Sequence, residues 1–264
     1  MLQLKAKVLY NKRVKHNYYH CSIRAIEIAK QACPGQFITV KFQDDRLAFL
    51  RRPFSIHKTK GANLEVLYEA IGPATKIFSR IKTGEHLDMI GPLGNGFSPQ
   101  STVHSPQLSI LVAGGMGVAP LVFLAEKLAK HSLRSTVHGR YVLIGAKTKN
   151  QILCEKEFQR LGFSVKIATD DGSRGFRGKV TGLLKNLLST VDCRLATLYA
   201  CGPRPMLKEI SRLALFHNVK AQISLEEHMA CGIGACLGCV VKTKKRLKRV
   251  CKEGPVFLAK EIIW

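Results

Sequence analysis

Acidic side chains are scarce in this chain. Asp and Glu number 18 against 42 Lys and Arg, which leaves a formal net charge of +24 over 264 residues. A charge of that size bears on partners and solubility, not on fold; nucleic acid, an anionic membrane, an acidic protein or a generally basic proteome would each suit it. No internal repeat or low-complexity linker is found. No leader is visible: Met1-Leu2-Gln3-Leu4-Lys5-Ala6-Lys7 alternates like a strand and lacks a long apolar core. Long apolar runs are also few. One uncharged stretch, Leu108 to Ala125, approaches membrane-spanning length. Gly114, Gly115, Gly117 and Pro120 at its centre instead suit a buried strand, a tight turn and a helix. The expectation is a cytoplasmic chain with no membrane span. Its 46% apolar content supplies real cores and argues against disorder. Its length accommodates two compact domains and a small appendage.

The nine cysteines are too few and too odd in number for a disulfide scaffold. Cys21, Cys33, Cys154, Cys193 and Cys201 are scattered, whereas Cys231, Cys236, Cys239 and Cys251 gather near the C-terminus. Their spacing, C-x4-C-x2-C with a distant fourth cysteine, is the plant-type [2Fe–2S] pattern, in which soft thiolates hold two irons. The intervening Gly232-Ile233-Gly234-Ala235 and Leu237-Gly238 are small enough for the loop to wrap closely and turn backbone N–H groups toward sulfur. Structural zinc is the rival, but it commonly uses two C-x2-C pairs. Between Cys239 and Cys251, six of the eight residues from Lys242 to Arg249 are basic. A solvated hairpin tip is the simpler reading and a docking surface for an acidic partner the sharper one. No aromatic residues interleave for base stacking, which weighs against nucleic acid.

The order of elements implies a multi-domain protein. Residues 1–100 read as short strands with turn signals, the mark of a small antiparallel β-barrel of the six-stranded type. Phe37–Phe42 and Leu64–Tyr68 are strand candidates, and Ala74–Ile81 a helix. A turn-rich seam follows from Gly91, polar over 98–107. Residues 101–223 then alternate strands (108–113, 140–144, 164–168, 196–200) with helices (through Lys130, 154–161, 180–188, 205–217), which predicts a parallel-sheet α/β domain. Residues 224–264 form the small C-terminal cysteine domain.

Four further motifs carry chemistry. Arg52-Pro53-Phe54-Ser55 ends a strand-like run, where Arg can pair with phosphate and Ser can bond a cofactor edge. Gly72-Pro73-Ala74-Thr75 opens a helix, a setting that favours pyrophosphate. Gly114-Gly115-Met116-Gly117-Val118-Ala119-Pro120 and Cys201-Gly202-Pro203-Arg204-Pro205-Met206 each lead from strand to helix. That suits a nucleotide at the carboxyl ends of parallel strands, although the spacing is not G-x-G-x-x-G.

Together these motifs resemble the ferredoxin–NADP reductase superfamily. The stretches Glu226–Cys239, Arg249–Phe257 and Ala168–Ser173 resemble, within it, the electron-transfer subunits of type B, NAD-dependent dihydroorotate dehydrogenases. The resemblance covers essentially the whole chain. It implies an FAD-binding barrel at 1–100, an NAD-binding domain at 101–223 and a [2Fe–2S] domain at 224–264. It implies a heterotetramer, two of each subunit, with an FMN-containing catalytic partner that oxidises dihydroorotate in pyrimidine biosynthesis. Electrons would pass from FMN to the cluster, to FAD and to NAD⁺, so no acid–base residue for dihydroorotate is required in this chain. The metal ligands implied are Cys231, Cys236, Cys239 and Cys251. FAD would meet Arg52, Pro53, Phe54, Ser55, Leu67, Tyr68, Glu69, Gly72, Ala74 and Thr75. The nicotinamide nucleotide would meet Gly114, Gly115, Gly117, Cys201, Gly202 and Pro203. Family members commonly carry Gly where Ala74 stands and often Arg where Glu69 stands. Lys147 and Lys149 follow the second sheet strand, where an NADP phosphate would lie. The alternative function is a related NAD(P)H-linked subunit serving ferredoxin, sulfide or hydrogenase chemistry.

Overall fold

The computed structural model describes residues 1–42, 49–98, 108–131 and 139–264. Most of the expected polar seam, 99–107, lies outside them.

The first unit is one antiparallel sheet of seven strands: β1 (Leu2–Lys15), β2 (Tyr18–Arg24), β3 (Phe37–Lys41), β4 (Arg52–Ser55), β5 (Lys58–Lys60), β6 (Asn63–Glu69) and β7 (His86–Leu93). Their order is β4-β3-β7-β1-β2-β6-β5, and β4 curls over to meet β6. The expected barrel is thus a curled sheet with a short seventh edge strand, β5. Helix α1 (Ile26–Gln31) and helix α2 (Pro73–Arg80) pack onto it. The interior holds an aromatic cluster around Phe78, on which Tyr68 stacks at 4.2 Å and 6° while Phe54 meets it edge-on at 5.1 Å. The buried Tyr68 hydroxyl donates to Asn11 Oδ1 at 3.0 Å, as a polar group in such a place must.

The second unit is a mostly parallel sheet: β8 (Leu108–Gly114), β9 (Gly139–Ala146), β10 (Ser164–Thr169), β11 (Phe176–Arg177), β12 (Ala196–Cys201) and β13 (Lys220–Ser224). Its helices are α3 (Val118–His131), α4 (Glu155–Arg160), α5 (Val180–Leu188) and α6 (Arg204–Phe216). The five main parallel strands run β10-β9-β8-β12-β13, so the order reverses between β8 and β12. Strand β8 is apolar and buried along Leu108–Ala113 because helices cover both faces. Helix α5 shows the reason for its placement in its own spacing: Val180, Leu184, Leu187 and Leu188 share one buried face. Helix α6 stops where Asn218 turns left-handed at φ 52°, a conformation Asn tolerates.

The C-terminal segment is stitched to both units. Strands β14 (Val240–Lys242) and β15 (Leu247–Arg249) pair as a hairpin under the basic run, and β16 (Val256–Leu258) returns to the parallel sheet as an antiparallel edge beside β13. On the barrel side, Asn95 N donates to Gly254 O at 2.5 Å and Val256 N to Asn95 O at 3.3 Å.

Candidate functional site

The four C-terminal cysteines converge as two pairs. Cys236 N donates to Cys231 Sγ at 3.4 Å, and Cys251 N donates to Cys239 Sγ at 3.4 Å. Gly238 N reaches Cys236 Sγ at 3.4 Å. A glycine at 232 and another at 234 adopt φ of +69° and +86°, which lets the loop curl round its own sulfurs. Thr39 of β3 packs against the loop so closely that a Cβ on Gly232 would meet its Cγ2 at 2.7 Å. Arg249 pins the other side, donating to Gly234 O at 2.7 Å and forming a two-pronged ion pair with Glu253. Desolvation opposes ionisation of Cys231, but backbone N–H groups of Cys236, Ile233 and Ala235 outweigh it and pull its thiol down to about 6. Burial and the neighbouring Cys239 push Cys251 up to about 12. A single zinc ion would require all four sulfurs mutually within about 4 Å, since each Zn–S bond is about 2.3 Å. No three of these four ligand atoms lie within 4.8 Å of one another; among the described residues only His57, Cys154 and Glu157 do. Two pairs of thiols, ringed by backbone donors, fit two irons.

Beside the cluster loop lies a cavity of about 530 Å³. Pro53 and Ser55 of β4 form its barrel wall, and Ser224 to Met229 form the opposite wall. Arg204, held by Glu227 at 2.5 Å, closes one end. Met229 lines this cavity and Cys231 follows two residues later, a span of at most about 7 Å. The strand alternation divides the Arg-Pro-Phe-Ser motif. Pro53 and Ser55 line the cavity, while Phe54 points into the aromatic core and Arg52 donates to Leu50 O at 2.6 Å.

A second cavity of about 540 Å³ opens where the parallel sheet reverses order, at the carboxyl ends of its strands. Gly114, Gly115, Pro203 and Met206 line it, as do Lys147, Asp170 and Lys179. This is the position at which open α/β sheets take ligands. The three glycines of the motif do different work. Gly115 has φ +54°, and a methyl on its Cα would meet nothing within 4 Å, so its backbone faces open space. Gly117 is buried, and a methyl there would stand 2.0 Å from Cys201 O. Gly202, at φ +152°, continues this packing beside Met206. The Cys201 thiol is buried at the end of β12, and burial raises it far above the usual range.

The remaining expected residues spread between these places. Glu69 and Tyr18 line the second cavity, and Glu69 accepts from Asn17 Nδ2 at 3.0 Å. Leu67 is buried in the core that includes Val118 and Leu121, and Tyr68 in the barrel core. Ala74 is buried, and Thr75 turns its hydroxyl back to Ile71 N and Gly72 N, both at 3.0 Å, capping α2. Lys149 N is held by Ser173 Oγ at 2.8 Å. Sequence reasoning passed over the Arg249–Glu253 brace, although the i,i+4 spacing of opposite charges around Cys251 was readable. Arg204 stands inside the Cys201–Met206 motif, yet its ion pair with Glu227 has no local signal in the sequence.

A curled antiparallel sheet joined to a 3-2-1-4-5 parallel sheet, with one cavity at the seam and another at the switch point, defines a reductase of the ferredoxin–NADP reductase class with an added cluster domain. Solved structures share that architecture. The NADH-dependent reduced ferredoxin–NADP oxidoreductase superposes with a TM-score of 0.84 at 26% identity, covering 99% of this chain and 90% of that one. A ferredoxin NADP⁺ reductase from Neisseria gonorrhoeae with bound FAD and NADP shares the fold at a TM-score of 0.69 and 18% identity, covering 81% of this chain and 91% of that one. The family described as the iron-sulfur cluster binding domain of dihydroorotate dehydrogenase B matches residues 226–263, and the oxidoreductase NAD-binding domain matches 111–212. A dihydroorotate dehydrogenase B (NAD(+)) electron transfer subunit from Desulforamulus reducens is 42% identical over 98% of this chain and 97% of its own length. One from Caldanaerobacter subterraneus subsp. tengcongensis is 38% identical over 99% of each. The chain belongs to the family of electron transfer subunits of dihydroorotate dehydrogenase B, and so to the oxidoreductases that work beside a catalytic subunit. Among the described residues, no helix is long and apolar enough to cross a membrane.

Proposed function

We propose that this chain takes the electrons released when an FMN-containing partner oxidises dihydroorotate and delivers them to NAD⁺, in the cytoplasm, as half of a heterotetramer with two copies of each subunit. The observation that carries this reading is that Met229 lines the seam cavity only two residues before Cys231, the first cysteine of the cluster loop. In this reading residues 1–100 with Ser55 hold FAD, 101–223 hold the nicotinamide nucleotide and 224–264 hold the [2Fe–2S] cluster. FAD, when bound, supplies exchange of electrons in pairs with a nicotinamide and singly with a cluster. The chain's own part is to place and shield. Ser55 presents a hydroxyl to the seam cavity, and Pro53 and Met229 give it apolar walls. Gly115 leaves backbone room for a pyrophosphate at the switch point, and Arg204, fixed by Glu227, places positive charge at the cavity's end. Cys231, Cys236, Cys239 and Cys251 ligate the cluster, with Arg249 and Glu253 bracing the loop. Arg52, Phe54, Leu67, Tyr68, Glu69, Gly72, Ala74 and Thr75 complete the FAD side, and Gly114, Gly117, Cys201, Gly202 and Pro203 the nucleotide side.

The test is co-expression with an FMN-bearing dihydroorotate dehydrogenase catalytic subunit. Copurification, and NAD⁺ reduction by dihydroorotate that requires both chains, are expected. A chain that reduces NAD⁺ from ferredoxin but neither binds that partner nor accepts its electrons would instead favour a ferredoxin-linked reductase, the reading prompted by the 0.84 superposition.

A further inference from the structure

A second cluster of donor atoms lies away from the four cysteines, between the two sheets. His57, in the link from β4 to β5, is only 1% exposed. Its Nδ1 lies 2.9 Å from Ala119 O at the start of α3. A carbonyl can only accept, so Nδ1 carries the proton and donates. In the neutral ring the other nitrogen, Nε2, then presents a lone pair. Facing it is Glu157 Oε2 at 3.4 Å, an atom shielded from solvent that makes no hydrogen bond. Cys154 completes the group at the head of α4, and the ligand atoms of all three residues lie within 4.8 Å of one another.

A lone pair and a carboxylate oxygen facing each other in a dry place repel unless a cation lies between them. Lys58 Nζ is 4.0 Å from Glu157 Oε2, but it is also drawn to Glu65 Oε2 at 3.6 Å. Glu65 in turn meets His20 Nε2 at 2.8 Å, and the His20 ring stands edge-on to His57 at 5.3 Å. One imidazole nitrogen, one cysteine sulfur and one carboxylate form a donor set of zinc's borderline type. Burial and the Glu157 charge keep the Cys154 thiol protonated in the absence of an ion, so binding would release that proton. An imidazole whose second nitrogen donates to a backbone carbonyl has the outer-shell support that metal-binding histidines commonly show. We propose that His57, Cys154 and Glu157 bind a divalent cation of the zinc class and thereby clamp the barrel to the parallel-sheet unit. His57 comes from the first unit and the other two residues from the second, so the bound ion would tie the walls that flank the seam. The competing arrangement is an imidazolium at His57 paired directly with Glu157, with no metal.

The test uses the whole protein with its iron intact. It is incubated with a small excess of zinc, desalted, and analysed for zinc and iron, with zinc K-edge absorption reading the neighbours. About one zinc per chain beyond the iron is expected, with one sulfur at about 2.3 Å and lighter atoms at about 2.0 Å. Cys154→Ala should cut retained zinc about tenfold or more while leaving iron unchanged. His57→Gln is the second variant, so that the result stands if either one folds poorly. Full iron with almost no zinc would overturn the proposal in favour of the imidazolium pair. Zinc surrounded by four sulfurs would overturn it by placing the metal at the cluster cysteines. Equal retention by both variants would overturn it as well.

Discussion

Gly117 lies against the main chain of Cys201 so closely that a methyl group on its Cα would stand 2.0 Å from the Cys201 oxygen and 2.4 Å from the carbonyl carbon. Cys201 ends β12, and Gly117 closes the turn that leads from the adjacent β8 into α3, at the point where the sheet reverses. Gly117→Ala must therefore push this turn away from the end of β12, against backbone atoms that cannot rotate away. Overpacking typically costs about 1–3 kcal/mol, and a clash with backbone belongs at or above the top of that range. Gly115→Ala meets no neighbour and pays only for its left-handed φ, about 1–2 kcal/mol. Urea unfolding of both variants should rank them in that order.

Arg249 joins the carbonyl of Gly234 to the carboxylate of Glu253 across the cysteine loop. Arg249→Leu removes both contacts at once. The variant should assemble its cluster but lose it several-fold faster in air, seen as decay of visible absorption. Arg249→Lys, lacking the planar fork, should fall between.

Glu65 is buried beside His20 and Lys58. Burial alone would raise its carboxyl, but the His20 hydrogen bond and the Lys58 charge outweigh it and hold it below the usual range. A depressed carboxyl contributes stability that is present above its unfolded pKa and is lost as pH falls through the folded one. Glu65→Gln should cost about 1–3 kcal/mol at neutral pH and flatten the loss of stability between about pH 5 and 3. Melting curves across that range check both parts.

Thiol reactivity should follow burial. Cys21 is fully buried and pushed up to about 12, and buried Cys201 is raised further, whereas Cys33 is exposed. Iodoacetamide at pH 8 should modify Cys33 and spare Cys21 and Cys201 until the protein is unfolded, as read by peptide mass spectrometry.

Much of this structure is legible in the residue pattern, and the exceptions have physical causes. Val180–Leu188 follows from the spacing of its leucines, and Leu108–Ala113 from an uncharged run, apolar but for Ser109, that suits a doubly covered strand. The cysteine spacing announces two irons because the ligand chemistry constrains it. Strand β16 is invisible in advance: three apolar residues after Gly254-Pro255 form a strand only because β13 offers them an edge. The division of Pro53 and Ser55 from Phe54 depends on which face of β4 turns inward, which the motif itself does not state. The trio of His57, Cys154 and Glu157 draws on residues about a hundred positions apart, and no local spacing foretells it.

The most direct test is iron, acid-labile sulfide and flavin analysis of protein purified without oxygen, with its visible spectrum. About two irons and two sulfides per chain beside about one flavin are expected, the iron and sulfide lost together in Cys236→Ser. A colourless chain with one zinc held by Cys231, Cys236, Cys239 and Cys251, and no flavin, would contradict it.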